Sequence, residues 1–457
     1  MQSVVVTGAS GFIGKALVAA LLSRGDAVTA LSRDPAKAKI PPGVRVARFD
    51  PLDPHPNPEP FEGQDAVVHL AGESVSGRWT AQKKQAIRES RVVGTRNLVA
   101  SLAACTQKPR TLVSASAVGY YGSRGDEPLE EWASPGTGFL AEVCAEWEKE
   151  AKRAAQHGTR VVLMRQAIVF GTGGGALQEM LPPFRWFAGG PLGNGTQWFP
   201  WIHLEDDIAL FVWALEHPNI AGAVNAVAPD IANNARVAAA IGHALTRPAL
   251  AYAPGFALHA LLGEFADSLL ASQLVLPARA SDEGFTFKHD RLEAALLELL
   301  APGSKKKPAT HELTSTTLVH GDISRVFEYF SNPANLERIT QPKYGLKILT
   351  PQPIAMRRGT TIEYRLHVWG AALRWKSLIA EWKPGVEFVD YQLRGPYALW
   401  RHRHRFSEEE DGVRVDDLVE YSLPLAPLSG LALPLVRADL ANMFSYRKSR
   451  LEEGGTP

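Results

Sequence analysis

Residues 4–14 read VVVTGASGFIG: an apolar β-branched run, then Gly8, Gly11 and Gly14 spaced Gly-x-x-Gly-x-x-Gly. Few folds use such a stretch. The run predicts a strand, and the residues after it predict a helix. The glycines give the tight turn that lets backbone N–H groups at a helix N-terminus approach a pyrophosphate. A plain strand–helix turn would not need the third glycine.

The pattern continues beyond the turn. Strand-like runs at Val4–Thr7, Val28–Leu31, Val44–Phe49, Ala66–Leu70, Thr111–Ser114 and Val161–Ile168 alternate with segments of helical apolar spacing at Gly14–Arg24, Ala81–Ala104 and Ala141–Gln156. This alternation predicts a Rossmann-like doubly wound parallel sheet. From Gly171 the chain turns rich in Gly, Pro and Trp, which suits a smaller substrate-side region over 171–300, with a last strand at Ala223–Val227. The run APGSKKKPATHE then predicts a linker over 301–311. Beyond it, over 312–452, one short helix (Ser324–Phe330) precedes strand-like runs at Lys347–Leu349, Thr360–Val368, Leu373–Glu381, Glu387–Leu393, Ala398–Phe406 and Val413–Leu423. A long helical stretch at Leu428–Leu451 follows, so an α+β domain with an antiparallel sheet is expected.

Composition narrows the function classes. Of the 457 residues 45% are hydrophobic, enough for real cores, and the formal charge of +1 carries no bulk signature of a nucleic-acid partner. Cys105 and Cys144 are the only cysteines, which excludes a disulfide framework or a Cys-rich metal site and suits a reducing compartment. The N-terminus lacks a basic segment followed by a long apolar run, and no apolar stretch reaches the roughly 20 residues of a membrane span. A cytoplasmic protein is expected.

The end of the second strand discriminates between cofactors. A carboxylate there holds the ribose of NAD; here Ser32 and Arg33 follow the strand, and a hydroxyl with a guanidinium suits the 2′-phosphate of NADP. Asp34 stands next but two places past the usual position.

At this point the chain resembles the extended short-chain dehydrogenase/reductase superfamily, through TGASGFIG, VVHLAG (Val67–Gly72), VVGTRNLV (Val92–Val99) and LVSASAVGYYG (Leu112–Gly122) in their expected order. More narrowly it is similar to the atypical "epimerase family" branch, through LAGESV, FLAEVCAEWE, VFGTGGGAL, GNGTQWFPWIHLEDD and GAVNAVAP. The resemblance implies an NADP site in which Gly8, Ser10, Gly11, Phe12, Ile13 and Gly14 line the pyrophosphate. It also implies Ser32 and Arg33 at the 2′-phosphate, Leu70, Ala71 and Gly72 beside the adenosine and phosphates, and Arg91 and Ser114 near the cofactor.

The resemblance also implies a catalytic serine, best matched by Ser116, and a Tyr-x-x-x-Lys pair in which lysine lowers the tyrosine pKa. Here the aligned helix reads GTGFLAEVCAEWEKEA, with Phe139 and Val143 where Tyr and Lys belong. Candidate substitutes are Tyr120 and Tyr121, if they face the cleft, and His203, either as an acid–base group or as a structural histidine orienting Asp206 or Asp207. Cys144 reads more simply as a small hydrophobe. The expected function is an NADP-dependent oxidoreductase or epimerase acting on a hydrophobic carbonyl compound; the alternative is an NADP-binding pseudoenzyme or redox sensor.

Residues 312–452 resemble the START-like, polyketide-cyclase-like helix-grip superfamily, through LVHGDISRVFEYFSNPANLERITQP (Leu318–Pro342) and the long last helix. The resemblance implies a curved sheet around that helix and a cavity for a hydrophobic small molecule. Phe327, Tyr364, Trp369, Trp375, Trp382, Trp400, Leu433 and Phe444 are candidate cavity or core residues. In WRHRHRF (Trp400–Phe406), Arg401, Arg403 and Arg405 read most simply as a solvated face, the alternatives being an acidic partner or the first domain as its counterpart. His402 and His404 lie opposite and could meet a metal only with His367, since no acidic partner has obvious spacing. No metal site is expected.

Overall fold

The computed structural model describes residues 1–303, 306–368, 370–424 and 428–453. It divides into two compact units, unit 1 over Met1–Lys307 and unit 2 over Pro308–Pro457.

Unit 1 is built on seven parallel strands: β1 (Ser3–Thr7), β2 (Ala27–Ser32), β3 (Arg45–Arg48), β4 (Ala66–His69), β5 (Thr111–Ala117), β6 (Arg160–Gln166) and β7 (Gly222–Ala226). Their spatial order, 3-2-1-4-5-6-7, reverses direction at β1. Such a reversal opens a crevice beyond the carboxyl ends of the strands. The strands are apolar on both faces because helices cover both. Val4, Val6, Val113 and Met164 pack against Leu17 and Leu21 of α1 (Phe12–Ser23). Val5, Leu112 and Leu163 pack against Leu98 and Leu102 of α2 (Ala81–Ala104) and Ala151 of α3 (Phe139–Lys152). A fourth helix, α4 (Leu204–Glu216), joins the α1 face through Ile208 and Phe211.

Unit 2 holds a seven-stranded sheet, antiparallel throughout: β8 (His311–Val319), β9 (Lys347–Ile348), β10 (Thr361–Val368), β11 (Ala371–Lys383), β12 (Glu387–Arg394), β13 (Leu399–Glu409) and β14 (Gly412–Ser422). The spatial order is 8-14-13-12-11-10-9. A short helix α5 (Ile323–Ser331) buries Phe327 against Phe406, Phe388 and Trp382. The terminal helix α6 (Leu433–Glu453) buries Val436, Leu440 and Phe444 with Trp375, Trp400 and Tyr421. Between them lies a cavity of about 600 Å³ lined by Tyr364, Trp375, Phe388, Trp400 and Leu440 among others. Of the aromatic and apolar candidates, Tyr364, Trp375 and Trp400 line this cavity. Phe327, Trp382, Leu433 and Phe444 belong to the surrounding core, and Trp369 falls outside the described residues.

One sequence expectation is corrected here. Arg401 is not on a solvated face: it is 2% exposed. Its guanidinium meets Glu420 (2.6 Å), on the adjacent β14, and Glu381 (3.5 Å), on β11 two strands away. Arg403 is half-buried and only Arg405 of the three is exposed.

Candidate functional site

The first strand ends in a turn that tolerates no side chains. Gly8 has φ +67°, and a Cβ there would lie 2.9 Å from the Leu70 carbonyl. A Cβ on Gly14 would lie 2.1 Å from the Gly8 oxygen, so the third glycine is required by helix–strand contact. Gly11 caps α1 with no side-chain bond of its own, and Ser10 and Gly11 are exposed. The N-terminus of α1 thus opens at an exposed turn, the kind of helix start that can receive an anion. Phe12 and Ile13 are half-buried; the Phe12 ring presses under a second glycine loop, where a Cβ on Gly174 or Gly175 would come within 2.9 or 2.7 Å of it.

The neighbouring loop after β4 is tied to the same turn. Backbone N–H groups of Leu70 and Ala71 donate to Thr7 Oγ1 (3.0 and 3.1 Å). The Thr7 hydroxyl proton is then left for His69 Nδ1 (2.8 Å), so the ring carries its own proton on Nε2 and donates to Thr95 Oγ1 (2.9 Å). Burial holds His69 neutral, lowering its pKa to about 4. Gly72 is exposed, and a Cβ on it would meet the Arg91 guanidinium at 3.3 Å. Arg91 Nη1 donates to the Glu73 carbonyl (2.9 Å), and its guanidinium lies 5.3 Å from the centre of the Trp147 ring system. At the end of β2, Ser32 Oγ donates to the Asp34 carbonyl (3.0 Å). Asp34 pairs with Lys37 (3.0 Å). Arg33 is exposed.

The ends of β5 and β6 are different, and three expectations are corrected there. Ser116 is 3% exposed and its hydroxyl donates inward to Glu148 Oε1 (2.8 Å). Glu148 is gripped by Arg165 through two bonds, Nε to Oε1 (2.7 Å) and Nη2 to Oε2 (2.9 Å). Tyr121 is fully buried rather than cleft-facing. Its hydroxyl receives Arg165 Nη1 (2.9 Å) and donates to Asn225 Oδ1 (2.6 Å), and burial pushes its pKa well up. Ser114 is fully buried and donates to the Ala115 carbonyl (3.1 Å), so its hydroxyl does not reach a cofactor. Tyr120 covers the network: the Arg165 guanidinium sits 3.6 Å from the centre of its ring. Glu148, Arg165 and Asn225 escaped the sequence reading. The available signal was a charge inside an apolar pattern, Arg165 within VVLMRQ and Glu148 on the apolar stripe of α3.

His203 also takes a structural role, but not the expected one. Its Nδ1 accepts from the backbone N–H of Glu205 (3.1 Å), capping α4. Its ring stacks on His289 at 3.6 Å. Burial and the neighbouring His289 lower its pKa to about 4, so it is neutral near pH 7. Asp206 instead accepts from Lys288 and His289 N–H groups (2.8 Å each). Asp207 accepts from Gln166 Nε2 (2.8 Å).

Where the missing tyrosine and lysine belong, Val143 is fully buried. The Phe139 ring packs edge-on to Trp79 (5.1 Å) beneath Lys84 Nζ (5.0 Å). A cavity of about 700 Å³ borders this point, lined by Trp79, Lys84, Arg88, Phe139, Glu142 and Glu264 among others. Its cations are already paired, Lys84 with Glu264 and Arg88 with Glu142. Cys144, on the same helix, is buried, which pushes its thiol up to about 12, out of reach of a reactive thiolate.

A parallel sheet with order 3-2-1-4-5-6-7 and a three-glycine turn at the strand reversal define a Rossmann-type domain of the short-chain dehydrogenase/reductase kind. The sequence model of the NAD dependent epimerase/dehydratase family matches residues 4–227. The "Epimerase family protein SDR39U1 homolog, chloroplastic" of Arabidopsis thaliana is 40% identical over 307 residues, 65% of this chain and 87% of the relative. The chain belongs to the NAD dependent epimerase/dehydratase family. A second model, a domain of unknown function (DUF1731), matches residues 253–299, inside unit 1. Among solved structures, human epimerase family protein SDR39U1 (isoform2) with NADPH superposes with a TM-score of 0.58 at 34% identity, covering 65% of this chain and 99% of the human one. A nucleoside-diphosphate sugar epimerase from Corynebacterium glutamicum superposes with a TM-score of 0.52 at 36% identity, covering 65% of this chain and 58% of that one.

Proposed function

We propose that unit 1 is an NADP-binding domain that works without the tyrosine–lysine proton relay, and that unit 2 is a START-like receptacle for a hydrophobic small molecule. In this reading Gly8, Ser10, Gly11, Phe12, Ile13 and Gly14 hold the pyrophosphate, and Ser32 and Arg33 hold the 2′-phosphate. Leu70, Ala71, Gly72 and Arg91 form the remaining wall. The observation that carries the cofactor choice is Arg33, an exposed guanidinium with no ion-pair partner among the described residues, beside a serine hydroxyl at the end of β2. The carboxylate that might have held a ribose, Asp34, is paired with Lys37. The NADPH of the human relative supports the same choice.

Bound NADP would supply a hydride donor or acceptor. This chain's own residues orient the dinucleotide and exclude water, but Ser116 and Tyr121 hold their protons on internal acceptors. That favours a binding or redox-sensing role. The cavity beside Phe139 favours the second reading, an oxidoreductase or epimerase acting on a hydrophobic carbonyl compound. A cytoplasmic setting, with Cys105 and Cys144 as free buried thiols, fits both. Fluorescence titration with NADPH and NADH, followed by incubation of the NADPH complex with a panel of ketones and quinones, tests the proposal. Expected are a marked preference for NADPH and no turnover. Steady loss of NADPH absorbance would transfer the conclusion to the second reading, and equal affinities would overturn the 2′-phosphate assignment.

A further inference from the structure

The polar end of the unit 2 cavity contains four side chains that the dinucleotide reading does not use. Strand register brings them together: Asp390 of β12 stands opposite His402 of β13, and His404 stands opposite Asp417 of β14. His402, His404 and Asp417 are buried, Asp390 is half-buried, and Asp390, His402 and His404 line the cavity. His367, the one companion the sequence offered for a metal that was not expected, lies beside Gly345.

Each imidazole has one nitrogen toward each carboxylate. His402 Nε2 and His404 Nδ1 lie 2.8 and 2.7 Å from the same oxygen of Asp417. An ionised carboxylate only accepts, so His402 Nε2 carries its ring's proton and donates to Asp417, while His404 Nδ1 lies close to the same oxygen without an aligned hydrogen bond. The opposite nitrogens, His402 Nδ1 and His404 Nε2, lie 3.7 and 3.6 Å from Asp390 Oδ2, and His402 Nδ1 presents its lone pair there. Those gaps are too long for hydrogen bonds. Yet Asp390, His402 and His404 each offer a ligand atom within 4.8 Å of those of the other two. A tetrahedral ion with ligand bonds of about 2.0–2.2 Å spaces its ligands about 3.3 Å apart. Two ring nitrogens standing 3.7 and 3.6 Å from one carboxylate oxygen, slightly more than that spacing, are a ligand set awaiting a small inward shift. An acid holding the far nitrogen of a metal-bound histidine is the usual outer support of such a site.

Charge points the same way. With both imidazoles neutral, as metal ligation requires, the two carboxylates carry a formal −2, which a divalent cation balances. The two rings, 3.8 Å apart, cannot both be protonated without strong repulsion.

We infer that Asp390, His402 and His404 form a two-histidine, one-carboxylate site for a divalent first-row transition metal, with Asp417 as the positioning residue and the open coordination position facing the apolar cavity. Nitrogen and oxygen donors without thiolate suit zinc, iron(II) or cobalt(II) better than a soft metal. Arg447 of α6 lines the same cavity, and its Nε is buried without a hydrogen-bond partner. Metal and guanidinium together would receive an oxygen anion at the end of an apolar body, so the ligand class is an amphiphilic carboxylate. The site rests on unit 2 geometry alone and does not depend on the dinucleotide reading.

The test is titration of chelator-treated full-length protein with cobalt(II), read by visible d–d absorption. One tightly bound equivalent is expected, with a spectrum that changes when decanoate is added. His404→Ala and Asp390→Asn should each abolish it, and His367→Ala should leave it intact. Asp417→Asn should weaken affinity about 10–100-fold. His203, Glu205 and His289 form the other grouping of this kind among the described residues, and His203→Ala is the control for it. Absence of a bound equivalent, or an equivalent that survives Asp390→Asn and disappears in His203→Ala, overturns the assignment. Should His404→Ala lose its circular dichroism, Asp390→Asn, a near-isosteric change at a half-buried position, decides alone.

Discussion

The carboxyl ends of β1 and β5 belong to one sheet and are treated in opposite ways. At β1 the chain exposes backbone: Ser10, Gly11 and Gly72 are open, and the polar groups beneath them, Thr7 and His69, fix the loops without filling the space above. At β5 the chain closes: Ser116, Glu148, Arg165, Tyr121 and Asn225 satisfy one another in the interior. A buried polar group must find a partner, and here each partner is another part of the protein. One half of the sheet therefore keeps the geometry of a ligand site while the other has turned its strand-end hydroxyls into architecture.

The largest expected effect comes from opening the closed half. Arg165→Met leaves Glu148 buried at 1% exposure with its two strongest bonds removed. Loss of one member of a buried pair typically costs about 3–5 kcal/mol, which chemical denaturation of unit 1 measures. A loss below about 1 kcal/mol would mean that the Glu148–Arg165 pair is not what fixes α3 on this end of the sheet.

Asp207 sharpens the same contrast through pH. Burial raises its carboxyl from 3.8 to about 7. In the unfolded chain it ionises near 3.8, so between those values the native state binds the extra proton. Stability therefore falls as pH rises through that window, and the full penalty, on the order of 4 kcal/mol, is reached above pH 7. Asp207→Asn keeps an acceptor for Gln166 and removes the penalty. Its melting temperature should exceed that of the wild type at pH 8 and match it at pH 4; equal melting temperatures at pH 8 would refute the raised pKa.

Arg33→Ala tests the open half. A guanidinium on a phosphate contributes about 1.5–3 kcal/mol. NADPH binding should weaken by roughly 10–150-fold, while NADH binding should hardly change. An equal loss for both cofactors would break the comparison at its functional end.

How much of this was visible in the sequence divides along the same line. The glycine turn was legible because its spacing and the contacts of Gly11 and Gly14 with the Gly8–Ala9 backbone are local; only the close approach of the Leu70 loop to Gly8 comes from afar. The Ala81–Ala104 helix was legible through its apolar period and coincides with α2. The closed network was not, because Glu148 meets Arg165 only after α3 packs on the sheet. The unit 2 cluster was hidden for a related reason. Asp390 and Asp417 reach His402 and His404 through strand register, and register is set by the turns and the hydrophobic faces of three strands together. The histidine alternation was readable; its acidic partners were not.

The smallest expected effect is at Phe139. Tyrosine there would restore the superfamily's missing hydroxyl at the head of α3, with Lys84 already 5.0 Å from the ring centre. A general acid in working order contributes about 10²–10⁴-fold, so Phe139→Tyr looks like an economical repair. We expect no gain in carbonyl reduction. The relay needs a serine that points at the substrate, and Ser116 Oγ points at Glu148. It needs a lysine one helical turn on, and that position is Val143, which is fully buried. Lys84 does not replace it, because its ammonium is engaged by Glu264 at 2.6 Å. The new hydroxyl would stand at the edge of the cavity beside Trp79, and stability should change by less than about 0.5 kcal/mol. NADPH oxidation by a simple ketone, compared between wild type and Phe139→Tyr, checks this. A rise of a hundredfold would show that the serine can swing outward, and the two halves of the sheet would then be two states of one site.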